Sequence, residues 1–121
     1  MRIKVQSRGF KLTEALYNQV NAKLHLVLSR YSNRIRQAQV TLLDTNGPKG
    51  GEDKRCLICI KVNHAKSIVV QETAPDLYDA ISNGVYRIKR AVDRHFNRSR
   101  QLNRRVQSSQ YALLADNEMN G

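Results

Sequence analysis

Apolar and polar residues alternate along four segments of the chain and recur at helical spacing along two others. The alternating segments, residues 2–7, 38–43, 55–63 and 67–72, predict strands. Helical spacing covers residues 14–30 and a second stretch that begins near Pro75. The predicted order of elements is therefore β-α-β-β-β-α.

Each predicted strand has one apolar face, and each predicted helix has one apolar stripe. The simplest arrangement is an α+β two-layer domain, with both helices on one face of an antiparallel-rich four-stranded sheet. The apolar faces of the strands consist of Ile3, Val5, Val40, Leu42, Cys56, Ile58, Ile60, Val62, Ile68 and Val70.

The first helix has a clear start. Gly9 ends the preceding strand, Thr13 stands where an N-cap residue belongs, and Glu14 in the first turn suits the helix dipole. The apolar stripe of this helix consists of Leu16, Val20, Leu24, Val27, Leu28 and Tyr31.

The second helix is expected to have Pro75 in its first turn. A glycine in its middle, Gly84, costs about 1 kcal/mol relative to alanine. Close approach to the sheet or to the other helix is a plausible reason for it. The apolar stripe consists of Leu77, Ile81, Gly84, Val85, Ile88, Val92 and Phe96.

Two segments show no regular pattern. Residues 44–54 contain three glycines and a proline and predict a long turn between the second and third strands. The lysines in and beside it could touch RNA, but the spacing is not that of a phosphate-binding loop, and a plain turn is favoured. Residues 106–121 are polar and are expected to form a mobile tail behind a domain of residues 1–105.

Charge narrows the class of protein. A chain of 121 residues forms one domain, and its 40% hydrophobic and 26% charged content is ordinary. The net charge of +11 and the pI near 10.2 are unusually high. They indicate nucleic acid or an anionic membrane as the partner. No apolar run could span a bilayer, and the N-terminus lacks the apolar core of a signal peptide, so we expect a cytoplasmic protein.

Most of the excess charge lies in residues 87–105. Eight of these residues are Lys or Arg and one, Asp93, is acidic. On a helix, Arg87, Arg90, Arg94 and Arg98 fall within an arc of about 80°, at about 100° per residue, beside the apolar stripe. Such a row of guanidinium groups is suited to phosphate, and RNA is the favoured polyphosphate.

A solvated helix face is the alternative reading of this row. Like charges three and four residues apart destabilise an isolated helix by a few tenths of a kcal/mol per pair, and a structural face normally mixes signs. Phosphate binding is therefore favoured. Tyr78 and Tyr86 lie eight residues apart on the same helix and could stack on a base, although packing at the rim of the core is the commoner use.

The sequence offers little for catalysis or metal binding. Cys56 and Cys59 have a C-x-x-C spacing, but residues three apart on a strand point to opposite faces, so we expect a buried Cys56 and a more exposed Cys59. The three histidines are scattered. A clustered carboxylate pair and a nucleophile motif are missing, so an enzyme such as a nuclease or redox protein is disfavoured and we expect no cofactor.

Several short motifs resemble one known family. The segment 13–16 (TEAL) begins the first helix, and Lys23 lies on the neighbouring stripe of that helix. The segment 76–81 (DLYDAI) begins the second helix. Residues 46–56 (NGPKGGEDKRC) resemble an insert. This pattern, over residues 1–100, is similar to the short ribosome hibernation promoting factors, also called ribosome-associated inhibitor or sigma-54 modulation protein. The joint order and spacing of the motifs are more specific than any one of them.

The resemblance implies a β-α-β-β-β-α fold similar to double-stranded RNA-binding domains. It also implies binding to the small ribosomal subunit, in the channel that messenger RNA and transfer RNA occupy, and silencing of translation under stress. The basic positions of the family correspond to Lys23 and to the four arginines of the row, but a further one, three residues past Lys23, is Leu26 here. The second domain of the long family members is not expected after residue 106.

The sequence thus predicts a non-enzymatic ribosome-binding factor, monomeric in isolation, with no membrane or small-molecule partner. The alternative is a regulatory protein that modulates a sigma-54-type transcription factor through protein contact. The candidate RNA-binding residues are Lys23, Arg87, Lys89, Arg90, Arg94, Arg98 and Arg100.

Overall fold

The computed structural model describes the backbone of residues 1–44 and 54–114, and the side chains of residues 1–44 and 54–97. The elements are β1 (Arg2–Arg8), α1 (Glu14–Leu28), a single 3-10 turn (Ser29–Tyr31), β2 (Ile35–Asp44), β3 (Lys54–Val62), β4 (Ile68–Ala74) and α2 (Leu77–Leu114). This order confirms the predicted β-α-β-β-β-α arrangement. The glycine-rich part of the predicted turn, residues 45–53, lies outside the described residues.

The chain forms two compact units, Met1–Ala91 and Val92–Gly121. The first unit contains all four strands, α1 and the first four turns of α2. The second contains the remainder of that helix, in which Val92 and Phe96 are buried as predicted. The helical backbone continues to Leu114, into the predicted tail, whose residues 115–121 lie outside the described part. The division of domain and tail at residue 105 stays a prediction.

The sheet has the strand order β1-β2-β3-β4. β1 runs parallel to β2, and the two other pairs are antiparallel. A parallel pair needs a crossover between its strands, which α1 supplies here. The sheet is therefore mixed, with the antiparallel majority that the sequence predicts.

One face of the sheet forms the core. This inner face carries the residues that are fully buried, Ala38, Val40, Leu42, Cys56, Ile58 and Ile60. Since α1 buries Leu16, Val20, Leu24 and Leu28 and the first part of α2 buries Ile81, Val85 and Ile88, both helices cover this face. The opposite side, which we call the outer face, carries Leu57 and Cys59 and is only half-buried there.

Two glycines stand where a side chain would collide. A Cβ atom on Gly84 would lie 3.2 Å from Cys56 Sγ and 3.3 Å from Ile58 Cδ1, so α2 approaches the sheet closely at this residue, one of the two reasons that the sequence suggests. Gly9 has a φ of +88°, and a Cβ atom there would lie 2.6 Å from the carbonyl oxygen of Asp44. Glycine tolerates both the positive φ and the contact.

The helix ends differ from the sequence predictions by about two residues. The Thr13 hydroxyl accepts a hydrogen bond from the Leu16 amide at 3.1 Å, which confirms the N-cap. However, α1 ends at Leu28, and its last turn tightens into the 3-10 turn. α2 begins after Pro75, because the Asp76 carboxylate accepts from the Tyr78 amide at 2.9 Å and so acts as the N-cap.

β2 begins three residues earlier than predicted. Its pairing with β3 shifts between Ile35 and Gln37, which marks a β-bulge at Arg36. The extra residue interrupts the alternation of apolar and polar positions, and this hid the start of the strand. At the other end, β2 extends to Asp44, whose carboxylate pairs with the Lys54 ammonium at 3.0 Å, where β3 begins.

Candidate nucleic-acid interface

The exposed side of α2 carries three candidate cations of the first unit. The helix is fixed by its buried stripe and by the close contact at Gly84, so the residues between the buried positions project away from the sheet. Arg87, Lys89 and Arg90 are all exposed. Exposed cations on a helix that is held by its other side can reach a polyanion without loss of packing.

Arg87 is not a free cation. Its guanidinium donates to the backbone carbonyl of Gln71 at 3.1 Å and to the Glu72 carboxylate at 3.2 Å. The two side chains of this ion pair are 59% and 29% exposed, so the pair contributes at most about 1 kcal/mol. These bonds hold Arg87 against β4. A guanidinium has five N–H donors, so Arg87 keeps donors for a phosphate oxygen.

Arg90 stacks on an exposed aromatic ring. Its guanidinium carbon lies 5.8 Å from the centroid of the Tyr86 ring, and Tyr86 is 63% exposed. A cation–π contact of this kind contributes about 0.5–1 kcal/mol at an exposed site. Within the described residues, Arg90 forms no ion pair. Its charge is therefore available to a phosphate, and the open ring beside it is available to a base.

The other candidates of the first unit occupy different positions. On the helix, Lys89 lies about 160° from Arg87 and about 100° from Arg90, so it does not extend their row. Lys23 is half-buried on α1, next to the buried Leu24. Leu26, where the resemblance leads us to expect a basic residue, is 81% exposed. That position is therefore on the surface, and its side chain has no charge to offer.

The second unit contains the remaining candidates. Arg94 is exposed, between the buried Val92 and Phe96. The neighbouring His95 ring meets the Phe96 ring edge to face, with centroids 5.0 Å apart. Arg98 and Arg100 belong to the helical backbone of α2, but their side chains lie outside the described residues.

The two cysteines occupy opposite faces of β3, as predicted. Cys56 is fully buried on the inner face and Cys59 is half-buried on the outer face. Burial, and to a smaller extent the Glu72 carboxylate, raises the pKa of the Cys56 thiol to about 12. This thiol stays protonated at physiological pH and is a poor nucleophile and metal ligand.

The described residues contain neither a candidate metal site nor a helix that could span a membrane. In that part of the chain, no group of three or more His, Cys, Asp or Glu residues could hold a metal ion. The helices there include none with the length and apolar character needed to cross a membrane.

Sequence reasoning missed the contacts of the arginines. Glu72 and Arg87 are fifteen residues apart on different elements, so only the packing of α2 beside β4 brings them together. The Tyr86–Arg90 contact could have been predicted from the sequence, because residues four apart on a helix are neighbours and an aromatic ring attracts a guanidinium.

The chain is similar to a known protein family and to solved structures. Residues 3–100 match the family model described as "Sigma 54 modulation protein / S30EA ribosomal protein". The chain is similar to the N-terminal domain of Protein Y from Thermus thermophilus, with 28% identity, a TM-score of 0.65, and coverage of 78% of this chain and 99% of that domain.

A second solved structure shares the fold. It is a ribosomal subunit interface protein from Coxiella burnetii, with 15% identity, a TM-score of 0.69, and coverage of 80% of this chain and 99% of that one. A search of curated proteins found no significant match.

Proposed function

Because the chain belongs to the family of sigma 54 modulation proteins and S30EA ribosomal proteins, which are ribosome-associated, we propose that it is a translation inhibitor of the small ribosomal subunit. In this proposal it occupies the channel for messenger RNA and transfer RNA and thereby prevents initiation. Its action is binding, without a catalytic step, and we infer that it works where ribosomes are, in the cytoplasm.

The observation that supports this proposal best is the separation of charge and packing on α2. Ile81, Val85 and Ile88 are buried against the inner face, while Arg87 and Arg90 are exposed. An exposed surface that carries guanidinium groups is suited to the phosphates of ribosomal RNA. Arg94 and Arg98 follow on the same helix in the second unit and are proposed to contribute in the same way.

The contacts would be made mainly to the RNA backbone. The bases of an A-form helix are inaccessible from its deep major groove, so recognition depends on phosphates and shape. Each phosphate that a cation neutralises releases counterions, and binding therefore weakens steeply as salt increases. Tyr86 offers one stacking contact to an unpaired base, which would favour an irregular RNA surface over a regular duplex.

The proposal can be tested by co-sedimentation with purified small subunits at several salt concentrations. Two variants remove two charges each from α2, Arg87→Gln/Arg90→Gln and Arg94→Gln/Arg98→Gln. Gln is close to Arg in helix propensity, so the helix is kept. The control, Lys11→Gln/Arg30→Gln, removes the same charge from exposed positions outside α2.

We expect each α2 variant to bind at least about tenfold more weakly and to lose about two units of salt slope, while the control binds nearly as the wild type does. Equal binding by all variants, with unchanged thermal unfolding, would refute the assignment of these residues. The channel itself is tested by competition, since bound messenger and transfer RNA should displace the protein. Capture of a stoichiometric transcription factor without ribosomal RNA would instead favour the sigma-54 alternative.

A further inference from the structure

The outer face of the sheet is strongly basic. Strand pairing places on this face the odd-numbered residues of β2 from Gln37 onward, the odd-numbered residues of β3 and β4, and the even-numbered residues of β1. Within the paired ladder, five of these residues are cations and none is Asp or Glu. The cations are Arg2, Lys4, Arg8, Arg55 and Lys61.

A cavity gathers three cations at one end of this face. It has a volume of about 550 Å³ and lies where β1 and β2 begin and β3 ends. Its lining consists of Met1, Arg2, Arg36, Gln37 and Lys61. Arg36 reaches it because the β-bulge takes this residue out of the regular alternation.

The cations of the cavity are not neutralised within the described part of the protein. Arg2, Arg36 and Lys61 are all exposed, and no carboxylate belongs to the lining. Three like charges around one concavity repel each other and focus a positive potential there. Their convergence has no benefit for folding, whereas a bound anion would relieve the repulsion.

The chemistry of the face favours a phosphate backbone as its ligand. The outer face has no aromatic residue in the paired ladder, so bases have nothing to stack on. In the paired ladder of the outer face, Val69 is the one exposed large apolar side chain. A single such side chain buries too little apolar area to bind a membrane. Gln37, Gln39 and Gln71 offer amide donors beside the cations. A surface that offers cationic and amide groups but no aromatic rings is suited to the backbone of a nucleic acid and not to its bases.

We propose that the outer face, centred on the cavity of Arg2, Arg36 and Lys61, is a second RNA-binding surface. It binds the phosphates of an RNA segment different from the one on α2, because the helices cover the opposite side of the sheet. The domain thereby contacts RNA on both sides, as a protein that fills an RNA-walled channel would. The inference rests on the proposed function in taking ribosomal RNA as the ligand.

The test compares three variants of equal charge on purified small subunits and on vesicles of anionic lipid. Arg36→Gln/Lys61→Gln alters the outer face, Arg87→Gln/Arg90→Gln alters α2, and Lys11→Gln/Arg30→Gln is the control. We expect the outer-face variant to bind small subunits about tenfold more weakly, with a salt slope lower by about two. Combined with the α2 pair, the losses should multiply, because the two surfaces bind separate segments.

The outcomes separate the two proposals. If the outer-face variant matches the control while the α2 variant is weakened, the second surface is refuted and the proposed function stands. If the outer-face variant alone is weakened, the role of α2 fails and the second surface stands. If wild type and outer-face variant bind small subunits equally but differ on vesicles of anionic lipid, the surface binds membranes and the inference is overturned.

Discussion

The two faces of the sheet are built from the same four strands, yet they differ in burial and in charge. On the inner face Cys56, Ile58 and Ile60 are fully buried. The helix α2 packs so closely on Cys56 and Ile58 that its residue 84 is a glycine. On the outer face most of the alternate residues are charged, amide-bearing or half-buried. Alternation therefore separates two sets of positions: the inner set determines the packing, and most of the outer set is left accessible to solvent.

The largest difference between the faces is expected for neighbouring residues of β3. Ile58→Ala removes a fully buried side chain and should lower the free energy of unfolding by about 2–5 kcal/mol. Leu57→Ala, one residue away on the outer face, should cost only about 1 kcal/mol. Urea unfolding of both variants measures the difference, and equal losses would contradict the assignment of the two faces.

A side chain at Gly84 should be the next most harmful change. Gly84→Val places its Cβ atom 3.2 Å from Cys56 Sγ and adds two methyl groups, so overpacking should cost about 1–3 kcal/mol. The matched variant adds Cys56→Ala, which removes the sulfur that the valine meets. Recovery of part of the lost stability in the double variant would identify this contact, and an unaffected single variant would show that α2 can move away.

The buried Cys56 thiol should make the stability of the protein depend on pH. Below pH 9 the Cys56 thiol is protonated in both the folded and the unfolded chain. Between about pH 9 and 12 the unfolded thiol ionises while the folded one, with its pKa raised to about 12 by burial, does not. Stability should therefore fall with rising pH, by at most about 1.4 kcal/mol per pH unit from this group.

Denaturant titrations from pH 8 to 11 measure this decline, and the Cys56→Ala variant supplies the baseline due to other groups. The variant should show a shallower decline than the wild type. A decline that is identical in the two proteins would show that Cys56 is not protected from ionisation in the folded state.

A hydrogen bond on the outer face should contribute about 1 kcal/mol. The Gln6 side-chain amide donates to the Thr41 hydroxyl at 2.9 Å, and Thr41 is 7% exposed. Thr41→Val leaves the amide of Gln6 without its acceptor and should lower stability by about 0.5–1.5 kcal/mol. A double-mutant cycle with Gln6→Ala isolates the pair, and a coupling energy near zero would mean that water replaces the bond.

The smallest effect on stability is expected at the ion pair between α2 and β4. Glu72→Gln removes the carboxylate from Arg87 and should change the free energy of unfolding by less than about 1 kcal/mol. Since the guanidinium loses its competitor for phosphate, affinity for small subunits should increase a few-fold at low salt. A decrease in affinity would show that Glu72 positions Arg87 for binding.

The sequence was sufficient for the elements that a single periodicity defines. Cys56, Ile58, Ile60 and Val62 recur at every second residue of β3, and the stripe of α2 repeats at helical spacing, so their buried faces were predicted correctly. The sequence could not place the β-bulge at Arg36, because one extra residue breaks the alternation by which a strand is recognised. Nor could it pair Glu72 with Arg87, since their contact depends on how two elements pack. Which cations bind RNA remains a prediction.

The hydrogen bond from Arg87 to the carbonyl of Gln71 has a consequence for how the protein behaves at high concentration. β4 is the last strand of the sheet, and its unpaired backbone groups could add a strand from another molecule. The Arg87 guanidinium occupies the Gln71 carbonyl of this strand. Arg2, Lys4 and Arg8 place repelling charges along β1, the strand at the other border of the sheet. Neutralising these four residues should therefore also promote self-association, which light scattering would detect.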